Sequence, residues 1–298
     1  MPSRKPEWLK VRPPGGETYA SVKSLLGSLH LHTVCEEAKC PNCAECWGSG
    51  TATIMILGDT CTRGCRFCAV ESGNPGGKLD QGEPEHVASA VSQMRLNYVV
   101  LTSVARDDLP DGGAGHYAET IRAIKESNPK TLVEALIPDF QGKKTAIAKV
   151  VDAGPEVIGH NIETVQTLTP KVRDRRSSYR GSIEVLRTVK DIDSRAITKS
   201  SLMLGLGERQ GEVRQALSDL REARVDALTI GQYLRPSEWH TPVADYVPPE
   251  KFEEYRRDAD SMGFLYVASG PLVRSSYRAS EYFMAALARK KGMVIDGG

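Results

Sequence analysis

Two short runs hold all seven cysteines of this 298-residue chain. The first, "CEEAKCPNCAECW", carries Cys35, Cys40, Cys43 and Cys46; the second, "CTRGCRFC", carries Cys61, Cys65 and Cys68. Crowded thiols either staple a small fold or hold a metal. Stapling is disfavoured, because the count is odd and disulfide frameworks are spread through short secreted chains. Here everything after Cys68 lacks cysteine. A structural zinc site wants four ligands, usually from two C-x₂₋₄-C knuckles. The second run offers three thiolates spaced C-x₃-C-x₂-C with no fourth beside them. His86, the nearest histidine downstream, falls at a predicted helix start. Three thiolates and one vacant position suit a cubane iron–sulfur cluster with an open iron.

The rest of the sequence must position these thiols. Strand-like segments, rich in Val, Ile, Leu and Thr, occur at 51–58, 97–104, 131–138, 156–163, 201–208 and 226–234. Helix-period segments alternate with them. "PEHVASAVSQMR" opens on Pro84 and sets Val87, Ala90, Val91 and Met94 on one face. "HYAETIRAIKES" and "GEVRQALSDLREAR" have the same periodicity. Six βα alternations predict an α/β protein with a parallel sheet, either doubly wound or an open (β/α)6 barrel. In both, chemistry gathers where strands end. The polar candidates there are Thr102, Ser103, Arg106, Asp107 and Asp108; Asn161 and Glu163; Lys199 and Glu208; and Gln232, Tyr233 and Arg235. Any one of these alone reads more simply as a solvated loop residue; their shared placement is what gives them weight. The glycine-rich "DGGAG" and "GLGERQG" lack a dinucleotide fingerprint and a Walker lysine.

Composition sets further bounds. Lys+Arg 39 against Asp+Glu 38 leaves a net charge of +1, so nothing demands nucleic acid or an anionic membrane. No apolar run approaches the roughly 20 residues needed to span a bilayer. The opening residues lack the apolar core of a secretory signal. The expectation is a cytoplasmic, reducing location and a monomer.

With Phe67 before its last cysteine, the second run resembles the signature of radical S-adenosylmethionine (SAM) enzymes. The resemblance implies that Cys61, Cys65 and Cys68 hold a 4Fe–4S cluster whose open iron chelates the methionine moiety of SAM. Reductive cleavage of SAM then yields a 5′-deoxyadenosyl radical. It also selects the partial, TIM-type (β/α)6 barrel over the doubly wound sheet. The first run, read C-x₄-C-x₅-C, is similar to the N-terminal motif of lipoyl synthases. "TSVARDDLPDGGA", "HNIETV", "LMLGLGE", "GQYLRPS" and "GPLVRSSY" resemble that family's blocks in order, from Lys5 to Ala286. The resemblance implies an auxiliary 4Fe–4S cluster on Cys35, Cys40 and Cys46. Its fourth ligand would be a serine of the RSSY block, Ser275 or Ser276, of which Ser276 is chosen. A serine oxygen is a poor ligand for a soft site, which suits a cluster consumed as the sulfur source. The serines also read as the N-cap of a helix start. Cys43 and Ser201 depart from the family pattern.

By the same resemblance, sulfur replaces hydrogen at carbons 6 and 8 of an octanoyl chain amide-linked to a lysine. The partners are octanoylated lipoyl carrier domains: 2-oxoacid dehydrogenase acyltransferase subunits and the glycine cleavage H protein. A ferredoxin or flavodoxin would supply electrons. Thr102, Ser103, Asn161, Glu163, Arg173 and Lys199 are expected around SAM, and Arg235 and Arg274 near the auxiliary cluster or the carrier. The basic "KVRDRR" (171–176) reads first as a solvated loop and second as a carrier dock. Residues 1–50 and 264–298 would be cluster-binding extensions of a barrel at 51–263. The rivals are a different radical enzyme such as biotin synthase, a first run serving only as electron relay, and a colourless zinc-stabilised carrier-binding protein.

Overall fold

The computed structural model describes residues 5–10, 17–29, 31–33, 42, 46, 47, 51–277, 279–281 and 283. Cys35, Cys40 and Cys43 lie outside the described residues. The strands are β1 (His32–Thr33), β2 (Thr51–Ile56), β3 (Thr60–Cys61), β4 (Glu71–Ser72), β5 (Tyr98–Ser103), β6 (Leu132–Leu136), β7 (Val157–Gly159), β8 (Ile197–Leu204), β9 (Ala227–Gln232) and β10 (Tyr266–Gly270). One eight-stranded sheet runs β1-β2-β5-β6-β7-β8-β9-β10; β3 and β4 form a separate pair. From β2 to β10 every pairing is parallel, and β1 lies antiparallel on the outer edge of β2. The sheet curls into a partial (β/α)6 barrel.

Parallel strands covered on both faces must be apolar throughout, and β2 and β9 are buried at every position. Helices cover the outer face. Glu83–Gln93 starts on Pro84 with Glu83 and Glu85 in its first turn, and buries Val87, Ala88, Ala90 and Val91. Acidic groups at that end are favoured by the helix dipole. Tyr179–Ile192 is capped by the Ser178 hydroxyl, which accepts from Gly181 N–H at 3.0 Å.

Two expectations shift. The fifth barrel strand is β8, starting four residues before the predicted 201. Its first half, "ITKS", is polar yet fully buried, because each polar side chain has a partner inside. Lys199 Nζ lies 2.7 and 3.0 Å from the two Glu134 oxygens, and the Tyr98 hydroxyl donates to Glu134 at 2.7 Å. The predicted strand at 156–163 shortens to β7, since the chain turns away at Glu163 (φ 66°) after a single bridge to Leu202. A seventh parallel strand, β10, continues the sheet past residue 263 and pairs with β9 over five residues. Beyond it the chain enters the barrel interior. Ala279 and Phe283 pack with Tyr98, Val100, Val157 and Ile197, and the rings of Phe283 and Tyr98 are 6.1 Å apart. Among the described residues, no helix is long and apolar enough to cross a membrane.

Candidate functional site

The loop after β2 carries Cys61, Cys65 and Cys68 across the carboxyl end of the barrel. Short strands β3 and β4 close its base, with Gly73 N–H donating to the Cys61 carbonyl at 2.9 Å. All three thiols are half-buried and free. Backbone N–H groups from three places aim at sulfur: Arg63 (3.4 Å) and Ala105 (3.3 Å) at Cys61, and Asp174 (3.3 Å) at Cys65. Burial pushes the Cys65 thiol up, partly offset by the Asp174 N–H and Arg173. Burial drives Cys68 up to about 12 against one N–H bond from Val70.

This donor set fits an iron–sulfur cluster. Buried thiols with no cation strong enough to ionise them, yet with N–H groups aimed at sulfur, gain most when iron replaces the proton. Among the described residues no group of three His, Cys, Asp or Glu could hold a single metal ion. His86 Nδ1 lies 3.8 Å from Asp80 and has no hydrogen-bond partner.

One residue that spacing does not reveal fixes the loop. Arg63, 7 % exposed, lies between Cys61 and Cys65. Its guanidinium forms paired bonds to Asp107 (2.9 and 2.9 Å) and to Asp139 (2.6 and 2.7 Å), and a fifth to Ser177 Oγ at 3.1 Å. Burial would lower the Arg63 pKa, but the hydrogen bonds to the two carboxylates raise it well above the usual arginine value. Burial would raise the Asp139 carboxyl, yet Arg63 holds it below the ordinary range. Asp139 is presented by a turn in which Phe140 (φ 46°), Gln141 (φ 55°) and Gly142 (φ 72°) are all left-handed. Its side chain also accepts Gln141 N–H at 2.9 Å. Loops after β5, β6 and β7 thus converge on the cysteine loop through one guanidinium.

Beside the thiols opens a cavity of about 160 Å³. Cys61, Cys65, Thr102, Ser103, Asn161, Glu163 and Arg173 all line it, joined by Arg63, Phe67, Asp139, His160 and Ser177. Lys199 does not. It is the third residue of β8, and its ammonium is committed to Glu134 inside the barrel. Two buried polar atoms of lining residues have no protein partner: Ser103 Oγ and Arg173 Nε. Orphans of this kind are rare in folded proteins and ask for a ligand. Burial raises the Glu163 carboxyl pKa, with Arg173 and an Asn161 hydrogen bond pulling it back. Backbone bonds to Ser201 C=O (3.1 Å) and from Met203 N–H (2.9 Å) hold Glu163 in place. Ser201 therefore contributes its backbone here.

Arg173 is held from behind by a relay. Its Nη1 donates to Ser182 Oγ at 2.7 Å; Ser182 lies 2.9 Å from His160 Nε2. His160 Nδ1 is 2.8 Å from the Ile137 carbonyl, which can only accept, so Nδ1 carries the proton and Nε2 accepts from the serine. Burial, then Arg173, lowers the His160 pKa to about 4. A folded value below the unfolded 6.5 means that the native state binds fewer protons between those pH values. Stability is then full above pH 6.5 and falls towards pH 4, by roughly 3 kcal/mol. His160→Gln should flatten that part of the stability–pH curve, measured by urea unfolding at several pH values.

Other strand-end candidates serve the frame. Arg106 donates to Asp108 (2.9 and 2.8 Å) and to the Leu57 and Lys78 carbonyls. Glu208 accepts from Gly205 and Leu206 N–H. Gln232 bonds the Leu204, Tyr233 and Asp245 carbonyls, and the Tyr233 hydroxyl donates to Thr241 C=O at 2.8 Å. Arg235 donates to the His240 and Glu238 carbonyls.

The first cysteine run meets the C-terminal segment. Asn42 Nδ2 donates to Leu272 C=O at 2.8 Å, and Cys46 N–H donates to Asn42 C=O at 3.0 Å. Ser275 and Ser276, half-buried, follow in a turn closed by Tyr277 N–H on Arg274 C=O at 3.0 Å. Arg274 Nη1 donates to Gln232 C=O at 3.3 Å. The contact needs Gly231, where a Cβ would stand 2.1 Å from Val273 C=O. Gly231→Ala should therefore displace the serine turn. Iron analysis should show partial loss of iron, with the Cys61/Cys65/Cys68 signal retained.

A model described as the radical SAM superfamily matches residues 55–220, and one for the N-terminal domain of lipoyl synthase of that family matches 2–40. The chain is 55% identical over 289 residues to a lipoyl synthase of Myxococcus xanthus, covering 97% of each. It is 58% identical over 292 residues to one of Halobacterium salinarum, covering 96% of this chain and 93% of that one. The chain belongs to the lipoyl synthase family. Membership makes it a radical-SAM enzyme, with the SAM and iron–sulfur use typical of the family. Solved structures agree on fold. Methylornithine synthase superposes with TM-score 0.54 at 14% identity, over 94% of this chain and 98% of that one. The FeFe-hydrogenase maturase HydG from Carboxydothermus hydrogenoformans gives 0.54 at 10%, over 93% and 70%. At those identities the likeness is one of architecture.

Proposed function

We propose that the cavity beside Cys61 and Cys65 is where SAM and the octanoyl chain meet, within a lipoyl synthase. The activity is insertion of two sulfur atoms, at carbons 6 and 8 of a protein-bound N6-octanoyl-lysine. The observation that supports the reading is the pair of orphaned polar atoms, Ser103 Oγ and Arg173 Nε, on residues that line a cavity together with Cys61 and Cys65. When bound, the two 4Fe–4S clusters and SAM supply the 5′-deoxyadenosyl radical and the sulfur.

The chain's own residues do the rest. Cys61, Cys65 and Cys68 hold one cluster. Arg173 pairs with the SAM carboxylate, Ser103 and Thr102 bond its polar end, and Glu163 with Asn161 takes its amino or ribose groups. Leu136, Ile137 and Pro138 give the cavity an apolar wall for the octanoyl chain. Such a wall keeps hydrogen donors and water away from a carbon radical. Cys35, Cys40, Cys46 and Ser276 hold the auxiliary cluster, which the Asn42–Leu272 contact supports by joining the two chain segments. On this reading residues 1–50 and the chain after β10 work as cluster-binding extensions of the barrel, whose sheet continues past residue 263 through β10. Lipoyl carrier domains are the partners the family implies; acyltransferase subunits of 2-oxoacid dehydrogenases and the glycine cleavage H protein are the forms proposed. A ferredoxin or flavodoxin serves as donor.

Paired variants test this. Cys61→Ala/Cys65→Ala/Cys68→Ala should form no 5′-deoxyadenosine yet keep auxiliary iron. Cys35→Ala/Cys40→Ala/Cys46→Ala should form 5′-deoxyadenosine and leave an octanoyl-lysine peptide without sulfur. Sulfur insertion by the second variant would overturn the assignment of the first cysteine run.

A further inference from the structure

Trp239 is the most exposed large apolar side chain among the described residues, at 56 %. It is nonetheless rigidly mounted. The Arg66 guanidinium lies 4.7 Å from its ring centre and donates to its carbonyl at 2.9 Å. Thr241 N–H donates to Arg66 C=O at 2.8 Å. His240 donates through Nε2 to Cys68 C=O at 2.8 Å, with Ser237 on Nδ1. The loop after β9 is thereby tied to both sides of the Cys65–Cys68 segment. The clamping is done by Arg66, Thr241 and His240, and the indole ring stays exposed with the Arg66 guanidinium over it and the His240 ring edge-on at 5.1 Å. Such an edge covers little area within its own fold and is of the kind that anchors partner proteins.

Segment 171–176 lies on the opposite flank of the same loop. Arg66 N–H donates to Val172 C=O at 2.8 Å, and Asp174 N–H reaches Cys65 sulfur. Lys171 and Arg175 are exposed there. The nearby carboxylates Asp107 and Asp174 are already engaged, by Arg63 and Arg176. On these segments the exposed cations Arg66, Lys171, Arg175, Arg176 and Arg235 outnumber the exposed carboxylates Glu71, Glu238 and Asp245.

We infer that Trp239, Arg66, Lys171 and Arg175 form the docking surface for an acidic one-electron donor protein. The inference rests on the reading of Cys61, Cys65 and Cys68 as cluster ligands. Charge complementarity gives the sign of the partner. Position selects an electron donor over a carrier domain. An electron needs its source pressed against the ligand loop, whereas an octanoyl-lysine arm reaches the cavity from a domain standing further off. The step moves one electron and forms no bond; the donor is oxidised by one electron as the site held by the three cysteines is reduced by one.

The test uses the full chain with its clusters, a flavodoxin as donor, and dithionite as a reductant that needs no docking. In Trp239→Ala the Kd for oxidised flavodoxin, by calorimetry, should rise about tenfold. Lys171→Glu/Arg175→Glu should weaken binding further and remove most of its salt dependence. 5′-Deoxyadenosine formation driven by dithionite, and KM for an octanoylated carrier domain, should not change. An unchanged flavodoxin Kd in both variants would overturn the proposal. So would an equal loss with dithionite, or a rise confined to the carrier KM. Failure of the underlying cluster reading shows separately, as no 5′-deoxyadenosine from the unmodified chain with dithionite.

Discussion

Replacing Arg63 with alanine is expected to cost about 3 kcal/mol of stability, because it leaves Asp139 buried without its cation and Asp107 held by Thr62 and Arg176. Asp107 and Asp139 side chains are only 16% and 12% exposed, and each loses a two-bond partner. The cost should not stop at stability. Arg63 joins three strand-end loops to the loop bearing Cys61 and Cys65, so its loss frees the thiols relative to one another. Iron bound by the three cysteines should fall sharply, and the residual cluster should show an altered reduction potential. Arg63→Lys keeps the charge but cannot make two paired contacts, and should recover stability better than cluster retention. Thermal unfolding and anaerobic iron analysis of both variants check this. Native iron content in Arg63→Ala would remove the guanidinium from the account.

Arg173→Met should raise the Kd for SAM by more than tenfold. Removing one partner of a buried, hydrogen-bonded charge pair typically costs 2–5 kcal/mol. Here the loss is compounded, since Glu163 would stay buried without the Arg173 charge that pulls its pKa down. Burial already raises the Glu163 pKa and Arg173 lowers it, so the variant moves it further up. Its carboxyl would then be ionised only at higher pH, and SAM binding to Arg173→Met should recover partly as pH rises. Equilibrium binding of SAM across pH reads both effects. An unchanged Kd would place the SAM carboxylate elsewhere.

These two residues show what sequence conveys and what it conceals. The grouping of Cys61, Cys65 and Cys68 on one loop is legible because spacing within a loop is local information. The parallel α/β sheet is legible because buried parallel strands are written as runs of β-branched residues, whereas its closure into a barrel comes only from the family resemblance. Arg63 is hidden in plain view: a cation between two cysteines reads as a solvated loop residue until the fold brings Asp107 and Asp139 to it. Asp139 is harder still, since its position depends on a left-handed turn containing Phe140 and Gln141. His160 and Ser182 form their relay across a fold-dependent contact between a strand end and a helix. Lys199 misleads for the opposite reason. A lysine near a predicted strand end suggests a site, but the strand begins earlier, and Glu134 and Tyr98 satisfy it inside the barrel. Strand β10 is short and ends in small residues, leaving too weak a pattern to find. The approach of Asn42 to Leu272, 230 residues apart, cannot be read from spacing at all.

The most direct test of the account is a single anaerobic turnover of the cluster-loaded chain with an octanoyl-lysine peptide, SAM and dithionite, followed by mass spectrometry of the peptide. The expected product is a peptide carrying two sulfur atoms, with 5′-deoxyadenosine formed alongside. A peptide recovered without sulfur, from protein shown to hold both clusters, would contradict it.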